Sequence, residues 1–374
     1  MTVTFFINYL NHHQLPVADE MYRLLGSNFH FVATYPRNPT ELKGGVDYSD
    51  RPYCLLAAEM EEDCKKAHRL NIESDVCVYG AGNLDWERER ATTNKLAFEI
   101  SERWFKRGVI NLFSPRLWKW WFTYQLKLRN RPFYKLCASA YTSSDCRKLF
   151  AYKGKCFKWG YFTKVDNVDR EYRLNGAPRI MWCARFVSWK HPELPVKLAH
   201  MLRDNGYDFR LEMYGEGELK HVIQKKIEVL NLNDYVELKG NVPNSEIRRA
   251  MLDSDIFLFT SDRNEGWGAV MNESMASGCC PVADIHIGSA PYLIDSWNNG
   301  LVYSGINLAS IYEKVKYLLD NPSERVKMGC RAAVDLKNIW SPANAAKNFV
   351  TLVEELLSDE RCKTSIIKGP CSPA

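Results

Sequence analysis

Short apolar runs of β-forming residues alternate with helix-forming stretches along most of the chain. This alternation is typical of parallel sheets that carry helices on both faces. In the first half it predicts strands at Val3–Ile7, His30–Ala33, Val76–Tyr79, Leu96–Ile100 and Leu136–Tyr141. In the second half it predicts strands at Arg179–Phe186, Phe209–Tyr214, Val236–Lys239, Ile256–Thr260 and Pro281–Ala283. We therefore predict an α/β fold built on parallel sheets.

The length of 374 residues favours two domains, because single hydrophobic cores stop growing at about 250–300 residues. Residues 163–178 are polar and lack an apolar period, which indicates a linker. We expect one domain over residues 1–165 and a second over 178–340. A helix over 341–357 is expected to pack back on the N-terminal domain, and the tail 358–374 is expected to be disordered.

The composition suits a globular protein in a reducing compartment. Twelve cysteines include no Cys-x-x-Cys pair, which disfavours a secreted disulfide framework or a zinc ribbon. The N-terminus lacks the features of a signal peptide, and no apolar run reaches the roughly 18–20 residues that a membrane span needs. The net charge of +5 suits an anionic ligand or membrane surface. We expect a cytoplasmic protein, with any membrane contact peripheral and on the inner face.

The segment from Glu265 to Glu273 carries the strongest functional signal. It follows the strand predicted at Ile256–Thr260 and opens a predicted helix, and ligands of open α/β sheets bind beyond the carboxyl ends of strands. A glycine on either side of Trp267 lets the backbone turn sharply, and free N–H groups at the helix start favour a diphosphate. Glu265 is placed to reach a sugar hydroxyl, and Glu273, about one turn inside the helix, to accept from two ribose hydroxyls.

Two further segments follow predicted strand ends. Arg185 and Lys190 come after the first strand of the second half, and a guanidinium fork and a mobile ammonium both suit phosphate oxygens. A turn containing Gly215 and Gly217 follows the next strand and suits the lining of a nucleotide cleft. The alternative for the first pair is two surface cations near a helix start, and for the second a common glycine turn.

These segments resemble glycosyltransferase family 4 of the GT-B fold. Members carry a Glu-x₇-Glu motif of the form Glu-Gly-Phe-Gly, a short apolar run, Glu-Ala-Met-Ala-x-Gly and then Pro-Val. This chain has Glu265-Gly-Trp-Gly-Ala-Val-Met-Asn-Glu273-Ser-Met-Ala-Ser-Gly278 and then Pro281-Val282. Trp replaces Phe, Ser replaces Ala, and the resemblance covers roughly residues 178–350.

The resemblance implies two Rossmann-like, doubly wound domains facing a central cleft. It implies a retaining, metal-independent glycosyltransferase of the hexosyltransferase type, with a nucleotide-diphosphate sugar as co-substrate and no separate cofactor. The acceptor is expected to be a glycan or lipid-linked molecule in cell-surface polysaccharide or lipopolysaccharide synthesis. The implied donor-binding residues are Gly215, Gly217, Glu265, Gly266, Trp267, Gly268, Ala269 and Glu273, and the catalytic candidates among the matched motifs are Arg185, Lys190 and Glu265.

The N-terminal half is less informative. His12 and His13 follow the first predicted strand, where GT-B enzymes face the cleft, although helix capping or simple exposure is an equal alternative. Many family members place a His after a later strand, near the anomeric centre, but the corresponding stretch Phe98–Arg103 has none. Glu102 or His13 is therefore the catalytic candidate of this half.

Residues 103–135 contain nine Lys or Arg, ten aromatic residues and no acid. This composition suits the interface of an anionic bilayer, with Trp118, Trp120 and Trp121 in the interface, or a lipid-pyrophosphate acceptor. The alternative is an aromatic core helix with cationic edges. Interleaved cations and aromatics also bind single-stranded nucleic acid, but no nucleic-acid-binding motif accompanies them, so no nucleic-acid partner is expected.

Two other functions remain open. A nucleotide-sugar epimerase-like enzyme on the same fold lacks support from the Glu-x₇-Glu segment. A non-catalytic nucleotide-sugar-binding protein is expected to have lost Arg185, Lys190 or one of the two glutamates, and this chain has all of them. Asp253-Ser-Asp255 has the spacing of metal-dependent glycosyltransferases, but it precedes its strand at the amino edge of the sheet, and we expect no metal there.

Overall fold

A computed structural model describes residues 1–36, 49–80, 82–165, 170, 172, 174–359 and 364–374. The chain forms two compact units: Met1–Lys164 together with Ile339–Ala374, and Val165–Asn338. The linker predicted over 163–178 lies partly outside the described residues.

The regular elements alternate along both units. The strands are β1 (Val3–Ile7), β2 (Phe29–Ala33), β3 (Cys54–Leu55), β4 (Val76–Gly80), β5 (Leu96–Ser101), β6 (Phe133–Cys137), β7 (Cys156–Lys158), β8 (Arg179–Cys183), β9 (Arg210–Tyr214), β10 (Val236–Gly240), β11 (Ile256–Phe259), β12 (Cys280–Asp284) and β13 (Leu301–Tyr303). The α-helices are α1 (Leu15–Leu25), α2 (Glu61–Glu73), α3 (Leu84–Arg90), α4 (Pro115–Thr123), α5 (Thr142–Lys148), α6 (Glu193–Asp204), α7 (Lys220–Val229), α8 (Asn244–Leu252), α9 (Val270–Ala276), α10 (Ala290–Leu293), α11 (Leu308–Asp320), α12 (Pro322–Asn338) and α13 (Pro342–Ser358).

The first unit contains a seven-stranded sheet in the order β3-β2-β1-β4-β5-β6-β7, with every neighbouring pair parallel. All five strands predicted for this half are present, but the fifth covers Phe133–Cys137 instead of Leu136–Tyr141. The prediction was displaced because Lys135 interrupts the apolar pattern of β6. Its side chain is nevertheless fully buried, and its ammonium lies 2.9 Å from the Glu99 carboxylate.

The second unit contains a six-stranded parallel sheet in the order β10-β9-β8-β11-β12-β13. Both sheets therefore place their first strand between the second and the fourth, which is the Rossmann-like order. The direction of winding reverses between β1 and β4, and again between β8 and β11. Ligands of such sheets bind beyond the carboxyl ends of the strands at these switch points.

Helices α1 and α13 complete the first unit. Helix α1 ends at Gly26, whose φ of +56° is a value that glycine adopts readily at the end of a helix. Helix α13 packs beneath the sheet, where the Phe349 ring contacts Phe5, Phe98 and Trp159 at centroid distances of 5.6, 5.3 and 5.8 Å. No helix among the described residues combines the length and hydropathy that crossing a bilayer requires.

The prediction of a disordered tail is wrong for residues 364–374, whereas residues 360–363 lie outside the described part of the chain. Cys371 and Ser372 are fully buried. The tail runs along the edge strand β7, where Cys371 N–H donates to the Lys158 carbonyl at 2.7 Å and Lys158 N–H donates to the Ser372 carbonyl at 2.8 Å. Covering an edge strand satisfies its unpaired backbone groups, and this long-range pairing has no local sequence signal.

Candidate functional site

The loops that follow β8 and β9 touch through their backbones. A Cβ on Gly215 would overlap the Ala184 carbonyl oxygen, and one on Gly217 would lie 2.5 Å from the Phe186 carbonyl oxygen. Their φ angles, +124° and +155°, are also ones that residues with side chains rarely adopt. The sequence predicted these glycines as a nucleotide-facing turn. Their structural role is to let the β9 loop rest on the β8 loop.

Arg185 and Lys190 lie on this β8 loop, on either side of Trp189. The Trp189 ring centroid is 5.7 Å from the Arg185 guanidinium and 4.3 Å from the Lys190 ammonium. Arg185 is exposed, whereas the Lys190 side chain is largely buried and donates to the Glu265 carboxylate. The structure therefore brings together the two segments that carried the strongest sequence signals.

The Lys190–Glu265 pair lies in a poorly solvated environment. Burial lowers the pKa of Lys190, and the Glu265 carboxylate opposes this shift by favouring the charged ammonium. Thr260 holds the backbone of this turn, because its hydroxyl accepts from the Trp182 indole N–H at 2.8 Å and donates to the Lys190 carbonyl at 2.7 Å. The hydroxyl thereby fixes the β8 loop to the end of β11.

Glu273 lies on α9 and is almost completely buried. Burial raises the pKa of its carboxyl group, while Arg248 and a hydrogen bond from Asn244 oppose the shift. Both of these residues belong to α8 and were missed by sequence analysis, because nothing local indicates that α8 and α9 pack together. Burial raises the pKa of Cys183 at the end of β8, the Glu273 carboxylate raises it further, and the Lys190 ammonium lowers it.

The side chain of Trp267, which belongs to the predicted donor-binding set, packs in the core. The ring is fully buried, and its indole N–H donates to the Asn272 side-chain carbonyl at 2.9 Å. Tryptophan adds a polar N–H to the core, and Asn272 satisfies it. Gly266 is buried, and Gly268 and Ala269 are half-buried at the start of α9. At position 267, the backbone is therefore the part that can contribute to a donor site.

Asp255 has a structural role at the amino edge of the second sheet. Its carboxylate accepts from the Arg179 backbone N–H at 2.8 Å and lies 4.0 Å from the Arg170 guanidinium. Asp255 also pairs through its backbone N–H with the Arg179 carbonyl at 2.8 Å. Asp255, one of the two acids of the Asp-x-Asp sequence, is therefore engaged in structural contacts. It precedes β11 and lies at the sheet edge opposite the one where Lys190 lies.

A cavity of about 720 Å³ opens within the first unit at the carboxyl ends of β1, β4 and β5. His13 and Glu102, the two catalytic candidates of this half, both line it. Tyr161 connects them: its hydroxyl donates to Glu102 at 2.8 Å, and its ring lies parallel to the His13 ring at a centroid distance of 5.9 Å. Lys106 also donates to the Glu102 carboxylate. The structure thus groups both candidates without choosing between them.

Comparison with known proteins finds similarity that is concentrated in the second unit. Residues 166–335 match the family model of the glycosyl transferases group 1. This match supports the group, of which family 4 is one part. HepE of Anabaena, solved in complex with UDP-glucose, superposes with a TM-score of 0.68 and 12% identity over 96% of this chain and 100% of that chain. The two parallel sheets and this likeness confirm the predicted GT-B fold class of two Rossmann-like domains.

Two curated relatives are similar in sequence over part of their length. The poly(ribitol-phosphate) alpha-N-acetylglucosaminyltransferase of Staphylococcus aureus is 27% identical over 194 residues, which cover 51% of this chain and 38% of that protein. The amylovoran biosynthesis glycosyltransferase AmsK of Erwinia amylovora is 31% identical over 134 residues, which cover 34% of this chain and 33% of that protein. The matched regions thus span well under half of either relative.

Replacing Gly215 by Ala is expected to lower both the melting temperature and the affinity for nucleotide, because the added Cβ pushes the β8 and β9 loops apart. Gly206→Ala is the matched control: its φ is also positive, at +78°, but a Cβ there would meet no atom within 4 Å. The control should lose only about 1 kcal/mol of unfolding free energy and keep its nucleotide affinity. Differential scanning fluorimetry and calorimetric titration with UDP measure the two effects. Equal losses in both variants would contradict the role given to Gly215.

Proposed function

We propose that this chain is a group 1 glycosyltransferase that moves a sugar from a nucleotide-diphosphate sugar to a glycan or lipid-linked acceptor. We assign the donor to the second unit and the acceptor to the first. The observation that carries the proposal is that Arg185, Lys190 and Glu265 come together at the carboxyl ends of β8 and β11, with Glu273 on the helix α9 that follows. A cationic pair beside two carboxylates suits a molecule that has a diphosphate between two hydroxyl-bearing rings.

The names of the relatives support a role in cell-surface polysaccharide synthesis. One acts on poly(ribitol-phosphate), and another belongs to amylovoran biosynthesis. We further propose hexosyl transfer with retention of configuration, in the cytoplasm, with no metal and no cofactor besides the donor. In this scheme Arg185 and Lys190 stabilise the leaving diphosphate. The seven-residue helix α9 is short, so we give this task to the two side chains rather than to a helix dipole.

Arg185→Ala and Lys190→Ala are expected to lower kcat by about 10²–10³-fold and also to raise KM, because negative charge on the leaving group grows in the transition state. A thermal-shift screen selects the nucleotide sugar, and nucleoside diphosphate release is then measured at steady state. Lys225→Ala, an exposed cation on α7, is the control and should behave as wild type. Normal turnover in both site variants would refute the assignment, as would an absolute need for a divalent metal after EDTA treatment.

Glu273→Gln is expected to weaken nucleotide binding by about 1–3 kcal/mol, because the amide cannot accept two ribose hydroxyls as a carboxylate does. Burial raises the pKa of Glu273, so wild-type affinity should fall as the pH is lowered through that pKa and the carboxylate becomes protonated. The Gln variant should lack this component of the pH dependence. Calorimetric titration with UDP at several pH values measures both effects, with Glu313→Gln, exposed on α11, as control. Unchanged affinity would remove Glu273 from the donor site.

The surface formed by residues 103–135 suits a peripheral membrane contact, although its contact residues differ from those expected. Trp120 and Trp121 point inward: their indole N–H groups donate to Glu99 at 3.2 Å and to the Leu149 carbonyl at 3.0 Å. Trp118, the third predicted residue, stays partly exposed at 37%. The more exposed apolar side chains of this surface, with the neighbouring Phe150, form what we call the apolar patch: Val109, Ile110, Phe113, Phe122, Leu126 and Phe150, each between 56% and 83% exposed. We propose that this patch, among the cations of the stretch, docks on an anionic bilayer.

Replacing Phe113 and Leu126 together by Ser is expected to weaken binding to vesicles of phosphatidylglycerol and phosphatidylcholine by about 1–3 kcal/mol without lowering the melting temperature. Vesicle binding should also fall as salt rises, because the attraction of the cations is screened. Co-sedimentation measures both effects. Val229→Ser, which removes an equally exposed apolar residue from α7, serves as control. Wild-type binding by the double variant would exclude docking through this patch.

A further inference from the structure

The cavity of the first unit has the size and position of a ligand site. It lies at the switch point between β1 and β4, and its volume of about 720 Å³ is in the range of small-molecule pockets. Aromatic rings, including Trp104 and Trp120, form part of its wall. The charged side chains that line this cavity indicate the chemistry of its ligand.

Two of the three acids in the cavity wall are balanced by cations. The Glu99 carboxylate lies 2.9 Å from the Lys135 ammonium and accepts from the Tyr152 hydroxyl at 2.8 Å. The Glu102 carboxylate is paired with Lys106. Neither of these carboxylates therefore adds net negative charge to the cavity.

Burial favours the protonated, neutral form of the third acid, Glu87. It is 99% buried on α3, and its Oε2 atom has no hydrogen-bond partner among the residues that the structure describes. Burial, reinforced by the nearby Glu99 carboxylate, raises the pKa of Glu87 well above its usual range. A protonated carboxyl group offers one donor and an acceptor, so Glu87 presents unused hydrogen-bonding capacity to the cavity.

Two cations remain unbalanced in the wall. Arg103 is paired with Asp145 at 3.8 Å, but Arg116 and Lys119 on α4 have no acidic partner within the described part of the chain. The Arg116 guanidinium lies over the Gly82 backbone, 3.0 Å from where a Cβ would stand, at the end of β4. The first turn of α4 also contains no acid, and Ser114 does not cap it with its side chain. Among the described residues of the cavity rim, Arg116 and Lys119 thus contribute two positive charges that no carboxylate balances.

We propose that this cavity binds a phosphorylated sugar or polyol, with the phosphate on Arg116 and Lys119 and the hydroxyl groups on Glu87 and Glu99. The inference rests on the proposed function and names the class of its acceptor. An anionic group suits the unbalanced rim, because the exposed Arg116 guanidinium in the first turn of α4 and the Lys119 ammonium about one turn further on both favour phosphate oxygens. Vicinal hydroxyls suit Glu87 and Glu99, because a protonated carboxyl group can donate a hydrogen bond and a carboxylate can accept one.

The test uses the full-length protein and ligand-observed NMR. Glucose 6-phosphate is expected to bind more tightly than glucose or inorganic phosphate, since only the sugar phosphate can contact both the two cations and the two glutamates. Arg116→Gln and Lys119→Gln should each weaken its binding by about tenfold, the loss of one charge-assisted contact. Lys127→Gln removes an exposed cation of the same stretch that does not line the cavity, and it should leave binding unchanged.

Variants of Glu87 provide a second, independent test of the proposed hydroxyl contacts. Glu87→Gln keeps a neutral donor and acceptor, so binding of glucose 6-phosphate should remain within about threefold of wild type. Glu87→Leu should lose about tenfold in affinity for glucose 6-phosphate while binding inorganic phosphate as before. Thermal melting checks that both variants fold. Tighter binding of a dodecyl ester of the same sugar phosphate would identify a lipid-linked source, and equal binding a soluble or polymeric one.

Three results would overturn the inference: wild-type binding by both α4 variants, equal binding of glucose and glucose 6-phosphate, or no binding of any sugar phosphate at millimolar concentration. Titration of the same samples with UDP keeps the proposed function separate. UDP binding that survives the loss of sugar-phosphate binding refutes only the acceptor class. Absence of UDP binding together with sugar-phosphate binding at Arg116 refutes the transferase proposal and leaves the anionic site standing.

Discussion

Contact between the backbones of two loops organises the second unit. Gly215 and Gly217 let the loop after β9 rest directly on the carbonyl groups of Ala184 and Phe186. Hydrogen bonds then join the loops, since Phe186 N–H donates to the Glu216 carbonyl at 2.9 Å and Leu219 N–H donates to the Phe186 carbonyl at 3.0 Å. This contact holds the chain between β8 and α6 in one path, and that path supplies both cations of the candidate donor site.

The buried charges of that candidate site are not explained by a contribution to stability. A largely buried lysine opposite a glutamate is weak evidence for stability, because removing both charges from water costs about as much as their attraction returns. Lys190 and Glu265 are nevertheless held together on loops that Thr260 fixes to the sheet. A ligand with phosphate and hydroxyl groups would take over these interactions. This arrangement suits the donor site that we propose.

The first unit contains the same strand order with different chemistry at its switch point. Lys135 is fully buried among Trp104, Trp120 and Tyr152, with ring centroids 4.8, 5.8 and 5.3 Å from its ammonium. It balances the Glu99 carboxylate, whereas burial favours the protonated form of Glu87. One topology thus supports the candidate donor site with its two cations in one unit and a cavity with cations at its rim in the other.

The sequence by itself determined the fold class and indicated the candidate donor segments. Continuous apolar runs depend on neighbouring residues, so strands such as β1 and β11, which are buried along their whole length, could be predicted almost to the residue, and the Glu-x₇-Glu motif follows the end of β11. Only the tertiary structure decided which groups meet across long separations. Asn244 at Glu273, the tail along β7 and the inward turn of Trp120 depend on burial and on hydrogen bonds between distant segments, which no local pattern encodes.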